Sequence, residues 1–335
     1  MFVKQRIQTN IRVVVTLVVA VLAFAMLQTP AANAQSTANT LKVSPVRTDI
    51  EVQPGASRTV QTTVTNLTSD AITIKATSND FIAGDELGTP ALILDDDKYA
   101  PSHSLKRFIQ PLANVTIPAG QAKTINVVIN VPANAQAGGY FGAIRFSPTD
   151  PDGGGQVNLS ASVGSLILLT VPGDFVEHLN LKDFNIQQDG ITGTTFRNGT
   201  SLQAYFRFEN TGSVQMGPFG KISVKKGDKV VYETDFNNKD PRDMILPDST
   251  RRWEIPLSSD TIGGFGQYTV LGTFTYGKDN QTIEVTKTFW IIPFTVIIAG
   301  IVAILVLVGI VIGILLAIRS RKRSRRMRRG RSQRF

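Results

Sequence analysis

The sequence predicts an all-β body of two immunoglobulin-like β-sandwiches in tandem, set between an N-terminal signal peptide and one C-terminal transmembrane α-helix. Three observations predict it. From Leu41 onwards, short Val/Ile/Thr-rich runs alternate with Gly and Pro punctuation. That grammar restarts after Val171-Pro172-Gly173-Asp174. Two long apolar segments lie near the ends, each flanked by cations.

The N-terminal segment has the three parts of a secretory signal. Lys4, Arg6 and Arg12 precede an uncharged run from Val13 to Leu27, and Ala32-Asn33-Ala34 follows. A positive region, a short apolar region and an A-x-A site place cleavage between Ala34 and Gln35. An uncleaved N-terminal anchor is the open alternative.

The first sandwich is expected over 41–173. Val60–Asn66, the polar turn Leu67–Asp70 and Ala71–Ala76 read as strand, turn, strand. Asn114–Ile117 precedes the turn Pro118-Ala119-Gly120-Gln121, and Thr124–Val131 is closed by Pro132. In Gly138–Phe146 apolar residues recur at every second position. Val163–Thr170 is continuously apolar, as expected of a strand buried on both faces.

The second sandwich is expected over 174–288. Phe184–Ile186, Ala204–Asn210, Lys221–Val224, Val230–Glu233, Trp253–Ile255 and Tyr268–Phe274 are its candidate strands. Asn210-Thr211-Gly212 and Lys226-Gly227-Asp228 supply hairpin turns. Tyr205, Phe206, Phe208, Trp253, Tyr268, Phe274 and Tyr276 read as core and corners rather than as a ligand platform.

Phe294–Ile318 is uncharged and dense in Ile, Val and Leu. At about 1.5 Å per residue it spans more than a ~30 Å hydrocarbon core. Phe289, Trp290 and Phe294 sit at one end, where aromatic rings favour the headgroup level. At the other end comes the basic tail 319–335, with Arg319, Arg321, Lys322, Arg323, Arg325, Arg326 and four further arginines. A cluster of this kind stays cytoplasmic, so the body faces outward.

Charge distribution argues against nucleic acid as a partner. The net charge is +9. Three of the 35 basic residues lie in the first 34 positions and ten in the last 17, with no acid in either stretch. All 26 acidic residues therefore face only 22 basic ones in between, and the body is mildly acidic. The absence of cysteine excludes disulfides, zinc–cysteine sites and thiol nucleophiles.

The segments Leu41-Lys42-Val43-Ser44-Pro45-Val46, Gln53-Pro54-Gly55, Val64-Thr65-Asn66, Pro118-Ala119-Gly120-Gln121 and Val131-Pro132 through Gly138-Gly139-Tyr140 resemble the WxL-interacting protein family. The order of signal, two sandwiches, membrane helix and basic tail resembles it as well. The likeness covers about residues 41–173 in sequence and the rest in architecture. It implies a bacterial surface protein whose first domain binds peptidoglycan, and it assigns no ligand-contact residue.

Chemistry is sparse. Asp95-Asp96-Asp97 and Asp150-Pro151-Asp152-Gly153-Gly154-Gly155 offer oxygen ligands for calcium but lack EF-hand spacing. His103 and His178 stand without a nucleophile frame. Asn66, Asn114, Asn158 and Asn198 begin Asn-x-Ser/Thr sequons. No cofactor and no catalytic residue is predicted. The expected function is binding to cell-wall glycan or to a surface protein, with membrane lipid around the anchor. A surface-polymer hydrolase is the remaining reading, and it would require carboxylates converging in a cleft.

Overall fold

The computed structural model describes residues 40–149, 162–257 and 260–331, with side chains as far as Arg319. The expectations for 1–34 with Ala34 and Gln35, for the acidic loop Asp150–Gly155 and for Asn158 lie outside those residues. Leu41 onwards forms one compact unit.

Its first nine strands are β1 (Leu41–Ser44), β2 (Arg47–Glu51), β3 (Ser57–Asn66), β4 (Ile72–Ala83), β5 (Pro90–Leu92), β6 (Val115–Ile117), β7 (Ala122–Asn130), β8 (Gly138–Pro148) and β9 (Val163–Val171). A three-stranded sheet β1-β3-β7 faces a six-stranded sheet ordered β2-β9-β8-β4-β5, with β6 also pairing β4. Alternate residues of the two sheets meet between them. Val60, Val64, Ile125, Val127 and Ile129 come from one side, and Ile74, Ile144, Phe146, Ile167 and Leu169 from the other. This core is built of β-branched side chains, which pack well on a pleated surface.

Nine further strands follow: β10 (Leu179–Gln188), β11 (Ile191–Thr192), β12 (Thr195–Phe196), β13 (Leu202–Asn210), β14 (Phe219–Lys226), β15 (Lys229–Phe236), β16 (Ser249–Pro256), β17 (Gly266–Tyr276) and β18 (Gln281–Ile291). Here β11-β10-β13-β16 faces β12-β18-β17-β14-β15. The core between these sheets is aromatic. Phe274 lies 5.0, 5.1 and 4.8 Å from Phe206, Phe208 and Phe236, ring centre to ring centre.

Two expectations are corrected here by strand periodicity. Tyr205 is half-buried on the face of β13 opposite to Phe206 and Phe208, because successive side chains alternate across a strand. Phe289 is no membrane-interface residue. Strand β18 continues past 288 to Ile291, and Phe289 is fully buried, stacked on Tyr268 at 5.4 Å. Trp290, one position on, points outward.

Strand β9 is covered on both faces, as its apolar run implies. Ile167 and Leu169 enter the aliphatic core. On the other face Leu168 joins Phe81, Phe141 and Ala143, against which Met244 and Leu246 of the second sheet pair pack. Polar contacts reinforce that junction. Arg47 Nη1 donates to the Arg242 carbonyl at 2.6 Å, Gln215 Nε2 to Thr170 Oγ1 at 2.9 Å, and Arg252 N to the Glu86 carbonyl at 2.7 Å. Arg207 holds the Glu86 carboxylate with both arms.

Helix α1 (Phe294–Arg331) follows β18 after two residues. Its stretch Phe294–Arg319 has a mean hydropathy of 3.4 and is 0% buried, so by length and composition it is able to cross a membrane. The helix does not stop at Ile318. Arg319, Arg321, Lys322, Arg323, Arg325 and Arg326 lie on its continuation.

Candidate functional site

A depression of about 520 Å³ lies on the first sheet pair between the loop that carries His103 and the loop that leads into β8. A buried carboxylate on β4 organises the first of these loops. Asp80 accepts from Ala100 N at 2.9 Å and from Lys106 N at 2.8 Å, and its neighbour Asn79 donates to the Ile93 carbonyl at 2.9 Å. Lys106 Nζ then reaches back to the carbonyls of Asp96 (2.7 Å) and Lys98 (3.0 Å). Anchored at these points, the loop is a fixed wall rather than a free excursion.

His103 is locked into that wall. Its φ is 59°, its Nδ1 lies 2.6 Å from the Gly139 carbonyl, and its own carbonyl accepts from Phe141 N at 2.9 Å. The ring sits 6.3 Å from Tyr140 and 5.9 Å from Phe141. That packing gives the imidazole a structural task.

Aromatic rings form the floor. Phe108 lies 4.8 Å from Tyr140, whose hydroxyl donates to the Gln136 carbonyl at 2.9 Å. Burial pushes the Tyr140 phenol above its ordinary value, the Gln136 bond opposing it. At the rim, the exposed Tyr99 ring carries the Arg107 guanidinium at 4.2 Å. Arg107 makes no hydrogen bond or ion pair among the described residues, so its five donors face solvent. Ser104 Oγ, buried in the groove wall, also lacks a protein partner among them. The far end closes on the second sheet pair, where Gly139 N donates to the Ser213 carbonyl at 2.8 Å. Gly138 is required there, since its φ is +141° and a Cβ would lie 2.8 Å from that carbonyl oxygen.

A second depression of about 500 Å³ lies across Pro101 and Ser102, lined by Asp85, Glu86 and Asp248. Two of these carboxylates, Asp85 and Glu86, are committed to structure. Hydrogen bonds from Thr89 hold Asp85 below the usual carboxylate range, and the hydrogen bond from Arg207 does the same for Glu86. A glycosidase needs one carboxyl raised to serve as general acid, and both of these shift the other way.

The remaining candidates are scattered. Asp95 accepts from Asp97 N and pairs with Lys98 at 3.1 Å, and Asp96 faces Lys75 at 3.8 Å. Among the described residues no cluster of three or more acidic or histidine side chains is arranged to hold a metal. His178 is exposed and meets Thr211 Oγ1 at 2.7 Å. Asn66 is fully buried and braces a turn through the carbonyls of Asp70, Ile117 and Pro118, which removes it as a glycan acceptor. The sequence reading assigned no binding role to Tyr99, Ser104, Arg107, Phe108 or Gln136, and took Tyr140 only as part of a family-like segment. Pro101 and Gly138-Gly139 beside them are the only local signal, and it marks loops without saying that two loops meet.

Residues 48–148 match the family model described as "WxL Interacting Protein, peptidoglycan binding domain". The match lies within the expected 41–173 and contains every residue lining the larger depression except Ser213. Among solved structures, the chain is similar to one titled "Chaperone-tip adhesin complex is vital for synergistic activation of CFA/I fimbriae biogenesis", at 14% identity over 76% of this chain and 99% of that one, with a TM-score of 0.37. The class 5 fimbriae chaperone CfaA gives 13% identity over 75% and 100%, with a TM-score of 0.38. The Escherichia coli chaperone DraB gives 15% over 75% and 96%, with a TM-score of 0.32. No curated protein matches.

Proposed function

We propose that this chain is a single-pass bacterial cell-surface protein whose outward body binds peptidoglycan in the groove between Tyr99, Arg107 and Tyr140. One observation carries the reading: the peptidoglycan-binding family match at 48–148 encloses that groove. The chemistry suits the ligand class. Rings at Phe108 and Tyr140 offer apolar faces to sugar rings. The free Arg107 fork matches the carboxylates of stem peptides. In this reading Pro172-Gly173-Asp174 divides two immunoglobulin-like sandwiches, the signal peptide is cleaved after Ala34, and Arg319 to Arg326 keep the C-terminus cytoplasmic.

The test is co-sedimentation of the detergent-solubilised full chain with purified sacculi. Saturable binding that weakens on Arg107→Ala is expected. Sedimentation no greater than that of an unrelated β-protein would end the proposal. A second reading, an assembly module that takes a partner strand, has β15 in its favour. Among the described residues that eight-residue strand ends its sheet and pairs only with β14. Capture of a surface protein by a chain that ignores sacculi would favour it.

A further inference from the structure

Strand β18 runs into α1 almost without a linker. Ile292 N donates to the Phe196 carbonyl at 2.8 Å, and Val296 N already donates to Pro293 O at 3.0 Å inside the first helical turn. Proline at a helix start is pre-set for that role. Whatever surrounds Phe294 therefore also meets the loops beside it.

The strand registers identify those loops. Ile291 pairs with Gly266 and with Phe196, so the loops before β17 and around β12 share the end where the helix begins. Lys225 pairs with Thr269, which brings the β14–β15 turn to the same end. The opposite end of this sheet pair carries Gln215 and Met244 and meets the first sheet pair.

Exposed apolar side chains are concentrated at the helix end. Between 174 and 291, the exposed large hydrophobics among the described residues are Val176, Ile191, Val230, Phe265 and Trp290. All but Val176 lie at the helix end. Phe265 and Trp290 are 52% and 41% exposed and touch at 6.3 Å, although 25 positions separate them. Cations stand among them. Arg197 lies over the Phe294 ring at 5.2 Å, Lys226 over Tyr268 at 5.0 Å, and Lys229 is exposed at the start of β15. Asp189, Asp228 and Asp260 share this end and temper the charge.

We infer that this end of the second sheet pair is a membrane-docking surface whose occupant is the phospholipid headgroup layer around α1. The inference rests on α1 spanning a bilayer. Aromatic side chains with one apolar and one polar side partition to the headgroup level, and cations there meet lipid phosphate. Four exposed apolar side chains, Ile191 on β11, Val230 on β15, Trp290 on β18 and Phe265 in the loop before β17, need such a cover at one end, and the tether leaves the bilayer within reach of all of them. The body then rests on the membrane and presents its groove on the far side.

The chain contains no cysteine, so single labels are simple to place. Phe265→Cys, Ile191→Cys and, as a distant control, Leu67→Cys on the exposed β3–β4 turn would each carry a nitroxide. The full chain would be held in nanodiscs of phosphatidylcholine and phosphatidylglycerol. Labels at 265 and 191 should show a several-fold higher ratio of oxygen to nickel-chelate collisions than the label at 67. Equal ratios on a chain that resists alkaline carbonate extraction would overturn the docking surface alone. Release of the chain by carbonate would overturn the span, and the docking surface with it.

Discussion

The two sheet pairs bury similar patterns with different side chains. Phe146 is the one fully buried aromatic residue of the first core, which is otherwise Val, Ile, Leu and Ala. The second core holds Phe206, Phe208, Phe236, Phe274, Phe289 and Tyr268. Of the other rings in the first sheet pair, Phe81 and Phe141 are buried at the junction, and Tyr99, Phe108 and Tyr140 lie at the surface groove. Large rings supply burial in one place and a contact surface in the other. Where a β-domain fills its core with aliphatics, its aromatic residues are the ones to suspect of binding.

That contrast is open to breaking, and the largest expected effect is in the aromatic core. Phe274→Ala removes a fully buried ring that touches three others. Loss of about 3–5 kcal/mol of stability is expected. Urea unfolding of the solubilised chain would measure it, while sacculus binding below the transition stays unchanged. If binding falls in step with stability instead, the two sheet pairs do not have separate roles.

Tyr99 and Arg107 should behave in the opposite way. Both are exposed, and the Tyr99 ring carries the Arg107 guanidinium at 4.2 Å and Lys106 Nζ at 4.9 Å. Arg107→Ala is expected to lower affinity for sacculi about tenfold, a loss of ~1.4 kcal/mol. Its stability should stay within about 0.5 kcal/mol of wild type, as for surface substitutions generally. Tyr99→Ala releases the guanidinium from its platform and should cost less than Arg107→Ala. Sedimentation isotherms paired with melting curves would separate the two effects. Unchanged isotherms for both variants would move the ligand away from this groove.

How far these differences were legible depends on whether they were local. The candidate strands Ala204–Asn210 and Tyr268–Phe274 fall within β13 and β17, because strand propensity is written in adjacent residues. The apolar run of β9 announced burial on both faces but did not name Met244 and Leu246 as the second cover, since they come from a loop more than 70 residues later. Ser78-Asn79-Asp80 reads as turn chemistry, yet it lies inside β4, where Asn79 and Asp80 are buried and hold the groove loop. Once that loop is fixed by side chains rather than by its own composition, the groove it forms has no sequence signature.

The junction between the sheet pairs offers the smallest and most specific test. Glu86 sits in the loop between β4 and β5, and Arg207 on β13 donates to it from Nε at 2.8 Å and from a second arm. Chiefly through that hydrogen bond, the Glu86 carboxyl lies below its ordinary 4.5 in the folded chain. Between the folded and unfolded values the unfolded chain binds more protons, so stability rises with pH across that interval. The contribution is fully present above 4.5 and is lost as acid protonates the folded carboxylate. About a third of each side chain is exposed, so solvent and salt screen the pair and the effect is modest. Glu86→Gln should therefore melt slightly below wild type at pH 7, and the gap should close as the pH falls well under 4.5. High salt should narrow it too. A gap that persists unchanged into acid would mean that the backbone bond from Arg252 N to the Glu86 carbonyl, rather than the charge, fastens the two sheet pairs together.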